Sequence, residues 1–152
     1  MGVDVRQTVE SIGGSSPGAG LTVDDFGRLW VRPSIVAGVE VIASTAYTVD
    51  VNLGALTVPD GASKINIFID ITVVGSESNE TLDISVEWSP DLGTTWHTAD
   101  PADTFTQILQ TAGAQRVGKQ FDVLAPTYRL ALDTAGTTPE FTFAVDHVGV
   151  YA

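Results

Sequence analysis

From residue 64 onward, apolar and polar positions alternate with a period of two. Ile65, Ile67, Ile69, Ile71 and Val73 share one parity, while Lys64, Asn66, Asp70 and Thr72 hold the other. That is the signature of a strand with one face in a core. Phe68 interrupts the polar face and marks it as partly covered. The alternation returns at Leu82, Ile84, Val86 and Trp88, at Tyr128, Leu130 and Leu132, and at Phe141, Phe143 and Val145. Further apolar segments at 28–31, 35–42, 46–53, 105–111 and 116–124 read as strands, and the last two strands are expected over 128–133 and 141–151. Punctuation by Pro101, Gly113, Gly118, Pro126, Gly136 and Pro139 separates them. No amphipathic helix stands out, although 103–111 reads either way.

About nine or ten short strands at this spacing predict an all-β, antiparallel β-sandwich or jelly-roll-like single domain. Its core is expected to hold Ile65, Ile67, Ile69, Ile71, Leu82, Ile84, Val86, Tyr128, Leu130, Leu132, Phe141, Phe143 and Val145. The domain is expected over 21–152, behind a flexible N-terminal arm and linker over 1–20 that ends in the run Gly13-Gly14-Ser15-Ser16-Pro17-Gly18-Ala19-Gly20. In the arm, Val3, Val5, Val9 and Ile12 are candidate partner-binding positions that order on a neighbouring subunit; a frayed terminus has the same composition.

The segment after Trp88 carries the most specific motif. Ser89-Pro90-Asp91-Leu92-Gly93-Thr94-Thr95-Trp96 has the form S-x-D-x-G-x-T-W of an Asp box. Ser89, Asp91, Gly93, Thr95 and Trp96 are expected to build a structural hairpin. Pro90 presets φ, Asp91 bonds backbone N–H groups two residues on, and Gly93 takes a positive φ. Trp88 and Trp96 are expected to pair across it. Asp boxes are best known from the propeller blades of sialidases, yet 152 residues cannot hold four blades of about 40–45 residues and the motif does not repeat.

Charge narrows the partners. The net charge is −12 with two lysines, Lys64 and Lys119, so the surface repels phosphate backbones and anionic membranes, and neither nucleic acid nor membrane is an expected partner. No segment approaches the length of a membrane span, and residues 1–8 lack the apolar core of a signal peptide, so synthesis in a cytoplasm is expected. The absence of cysteine excludes disulfides and thiolate metal sites. Abundant carboxylates with almost no lysine fit a salt-loving source and an ordinary acidic protein equally.

No catalytic, cofactor-binding or metal-binding set assembles from the sequence. Asp91 reads as a turn residue and Glu87 as a solvated sheet position, leaving hydrolysis without an acid pair. His97 and His147 fall in different strands and read as surface or partly buried histidines. The pairs Asp24-Asp25 and Asp100/Asp103 read as solvated loops rather than calcium loops. Asn79-Glu80-Thr81 fits a glycosylation sequon and Asp25-Phe26-Gly27 a kinase tripeptide, both without supporting context. Trp30, Trp88, Trp96, Tyr47, Tyr128 and Tyr151 are read as packing residues, with a sugar-stacking platform as the rival.

Read together, the phrases Val86-Glu87-Trp88-Ser89-Pro90-Asp91 with Gly93-Thr94-Thr95-Trp96, Phe121-Asp122-Val123-Leu124-Ala125-Pro126-Thr127-Tyr128-Arg129-Leu130, and Gly136-Thr137-Thr138-Pro139-Glu140-Phe141-Thr142-Phe143-Ala144-Val145 resemble small virion proteins of tailed viruses. The resemblance spans at most residues 64–151. It implies a structural, non-enzymatic protein on the capsid exterior, binding the major capsid protein or other virion proteins as a homo-oligomer, a trimer or a pentamer, without cofactor. A carbohydrate-binding or host-adhesion module of a tail or spike is the alternative it leaves open.

Overall fold

The computed structural model describes residues 21–23, 29–31, 38–75 and 79–151. The arm positions Val3, Val5, Val9 and Ile12 lie outside them. The chain divides between Ile35 and Val36 into two units. In the first, β1 (Leu21–Val23) pairs antiparallel with β2 (Leu29–Val31), Leu21 opposite Val31.

The second unit is built from antiparallel strands in two sheets. One sheet has the order β10 (Gln115–Asp122), β6 (Lys64–Val74), β12 (Phe141–Val150), β3 (Val39–Tyr47). The other centres on β11 (Thr127–Ala135) and β7 (Thr81–Ser89). The short strands β4 (Val51–Asn52) and β5 (Leu56–Thr57) line the far side of β11, and β8 (His97–Thr104) and β9 (Ile108–Leu109) line the far side of β7. The chain is thus nearly all β, as the alternation predicts.

The inward faces of both sheets merge in one core, and every expected core position is buried. Trp88, Phe105, Ile108 and Phe121 join it, with Phe105 edge-on to Phe121 at a centroid distance of 5.3 Å. The antiparallel registers gather Gly75 just after β6, Glu80 just before β7 and the 110–114 and 136–140 connections at one end. The 89–96 hairpin and the 123–126 connection lie at the other.

Several departures from the simple alternation have local causes. Thr142 pairs with Val73 but Phe143 with Ile71, leaving Thr72 as an extra residue on β6. The bulge reverses parity beyond it, so Val73 faces solvent and Val74 packs on the core. Over 43–45, where a break between two strands is expected, β3 runs on instead. Its Ala43-Ser44-Thr45 contains no glycine, proline, asparagine or aspartate, and register shifts against β12 absorb the excess length. The Thr45 hydroxyl donates to the Ala43 carbonyl at 2.9 Å within that stretch.

The expected strand over 105–111 shrinks to β9 followed by a 3-10 turn, Gln110–Ala112, while the Phe105 side chain enters the core and its amide still donates to the Ile84 carbonyl at 2.9 Å. In β8, Asp103 faces Val86 while Thr98 faces Glu87, so residues 99–102 loop out of the ladder.

Candidate functional site

The 89–96 hairpin is a closed hydrogen-bond circuit. Ser89 Oγ donates to Asp91 Oδ1 at 2.8 Å and accepts from the Gly93 amide at 2.7 Å. Asp91 Oδ1 also accepts the Thr95 amide, and Oδ2 the Thr95 hydroxyl, both at 2.8 Å. The aspartate therefore reaches the amide four residues on, not two. These donors, the Thr95 amide foremost, hold the Asp91 carboxyl at about 2. All the carboxylate's bonds run back into the hairpin, as a turn device requires and a catalytic acid does not. Gly93 has φ 95°, and Leu92 holds φ 57° although it bears a side chain, 79% exposed.

The two tryptophans do not pair. Trp88 is opposite His97 and points into the core, where its indole N–H donates to Asp103 Oδ2 at 2.8 Å and its ring tilts against Tyr128. Trp96 turns to the outer surface, with the Arg129 guanidinium 4.4 Å from its ring centroid. Arg129 lies opposite Glu87 on the neighbouring strand and binds it at 2.6 Å. Glu87 is consequently half-buried in an ion pair rather than simply solvated. The alternation of β7 with an unknown neighbour hides this, since only the β7–β11 register brings Arg129 across from it. With Arg129 on one side and Gly93 against its benzo edge, Trp96 is a poor stacking platform.

His97 is exposed, whereas His147 is buried among core strands. The Tyr128 hydroxyl and His147 Nδ1 are 2.8 Å apart, joining β11 to β12 across the two sheets. Burial depresses the His147 pKa below 6.5, opposed in part by the adjacent Asp146 carboxylate, and raises that of the Tyr128 phenol. Tyr47 stacks on Phe143 at 4.7 Å, so it too belongs to packing. Asp24, Asp25 and Phe26 lie outside the described residues, and Trp30 is in β2.

One juxtaposition escapes the sequence. Asp83 and Asp133 are directly opposite on β7 and β11, lining a shallow depression of about 360 Å³ with Ser85 and Thr104. Gln107 Nε2 donates to Asp83 Oδ2 at 2.8 Å, and both aspartates are exposed on the sheet surface. An acid–base pair needs one carboxyl in a shielded environment to separate the two roles, and neither has it. Among the described residues, no group of three His, Cys, Asp or Glu side chains is placed to hold a metal.

Comparison with known proteins yields no matching family model and no matching curated protein.

Proposed function

We propose that the chain is a virion structural protein, a capsid decoration protein of a tailed virus that binds the major capsid protein as a homo-oligomer. The observation that carries the reading is Leu92. A leucine at φ 57° is strained, and its side chain stands 79% exposed at the hairpin tip. The fold gains nothing from an apolar residue there, since Gly or Asn would relax the same backbone. Strain retained with an exposed apolar group suits a contact residue. Leu124, also exposed, lies on the connection at the same end of the sandwich, making that end the docking surface of this reading.

The virion assignment rests on the resemblance of the turn and strand phrases over 64–151. In the same reading, Val3, Val5, Val9 and Ile12 add a strand or apolar anchors to a neighbouring subunit. Repeated weak contacts around a symmetric shell then supply avidity. The adhesion alternative is weakened at Trp96, because Arg129 occupies one face of its ring.

Co-sedimentation with shells assembled from a tailed-virus major capsid protein tests the proposal. Leu92→Asn is expected to raise fold stability by about 0.5–1 kcal/mol while weakening shell binding. Failure of the unaltered protein to pellet with shells overturns the reading. Undiminished binding by Leu92→Asn removes the hairpin end from it.

A further inference from the structure

At the end of the sandwich opposite the hairpin, the chain buries a carboxylate. Glu80, immediately before β7, is 1% exposed. Three connections close around it. The Gln110 amide donates to the Glu80 carbonyl at 3.1 Å, the Gln110 side-chain amide donates to the Gly75 carbonyl, and the Thr138 hydroxyl donates to Glu80 Oε1 at 3.2 Å.

Two glycines make the room. A Cβ on Gly75 would collide with Glu80 Oε2, and one on Gly136 would stand 2.7 Å from its Cγ and 3.0 Å from its Cα. The carboxylate is thus seated in a cradle that side chains at either position would fill.

After these bonds, Glu80 Oε2 and Gln110 Oε1 have no hydrogen-bond partner among the described residues, and Gln110 is itself only 7% exposed. The two oxygens flank the same residue, since Oε2 lies over Gly75 while the other end of the Gln110 amide bonds its carbonyl. A buried carboxylate without a counter-charge is strongly unfavourable. The described lysines and arginines are all engaged elsewhere: Lys64 with Asp122, Arg116 with Asp70, Arg129 with Glu87, and Lys119 with the Thr104 carbonyl.

We propose that Glu80, Gln110 Oε1 and Thr138 Oγ1 form a site for a hard, oxygen-seeking cation that ties together the three connections at this end. The donors are all oxygens, which selects calcium-like ions over thiophilic or imidazole-seeking metals. A single carboxylate sets a weak site, with Kd on the order of a millimolar.

The test is thermal melting of the full chain, stripped with a chelator and titrated with CaCl2, MgCl2 or NaCl at constant ionic strength, in parallel with Glu80→Gln. Calcium at about tenfold excess over Kd is expected to raise Tm by about 5 °C in the unaltered protein. It is expected to leave Glu80→Gln unmoved. Asp83→Asn, which alters the exposed acidic pair instead, should keep the full response.

An equal shift in Glu80→Gln, or no response of the unaltered protein to any of the three salts, overturns the proposal. Should Glu80→Gln fail to fold, calorimetric titration of the unaltered protein with CaCl2 decides. One saturable site lost in Gln110→Met supports the cation, while no heat or a multisite isotherm insensitive to Gln110→Met overturns it.

Discussion

Asp91 and His147 show one residue type each doing structural work that depends on its charge state. The Asp91 carboxyl is held at about 2 against an ordinary 3.8, so its contribution to folding is complete above 3.8 and is lost as pH falls from there through 2. Asp91→Ala is expected to lower Tm at neutral pH, with the gap from the unaltered protein closing as melts are repeated towards the lower value. His147 works in a different window. Its folded pKa lies below 6.5, so the unfolded chain takes the proton first; stability is full above 6.5 and declines as pH falls below it. Asp146 is the charged neighbour that opposes the shift, and Tyr128 the titratable group in contact. His147→Gln should flatten the Tm profile between about pH 5 and 7, above the range where carboxylates titrate. Tyr128→Phe strands the buried ring nitrogen and should cost about 1–3 kcal/mol by urea unfolding.

At the scale of elements, the interior of the sandwich was legible and its edges were not. Ile65 to Ile71 could face inward only as a strand, and the same parity in Leu82 to Trp88 and Phe141 to Val145 left one consistent core. The bulge at Thr72 left no mark, because a threonine between isoleucine and valine fits the ladder and the bulge alike; it exists only relative to β12. The hairpin was visible because its donors and acceptors lie within seven residues, whereas Glu87–Arg129, Asp83–Asp133 and Tyr128–His147 join residues far apart in sequence.

Phe68 illustrates what register adds. It lies opposite Gly118 on β10 and covers it, so that a Cβ there would stand 2.8 Å from the ring. Gly118→Ala should therefore cost about 1 kcal/mol in the unaltered chain but become neutral or stabilising beside Phe68→Ala, where strand propensity alone remains. A double-mutant cycle in urea measures the coupling, and additive effects would show that the ring does not depend on the glycine.

For the molecule as a whole, charge sets the conditions under which the fold and any assembly persist. The chain carries −12, and the described basic side chains Lys64, Arg116 and Arg129 are each already matched to a carboxylate. Among the described residues the acids outnumber these partners, so the remainder repel one another, and that repulsion acts on the compact state more than on the unfolded one. Mobile ions shorten its range from about 30 Å at 0.01 M salt to about 3 Å at 1 M. Tm is expected to climb steeply across that interval, and a source adapted to salt predicts a further climb into the multimolar range, where screening is already complete. Self-association must follow the same curve, because each added copy brings another −12. Light scattering over the two salt limits, run at several protein concentrations, separates the cases. A homo-oligomer that forms only as salt rises fits charge-limited assembly of a decoration protein. A monomer at every salt and concentration overturns the proposed homo-oligomer, unless a shell to which it binds supplies the symmetry.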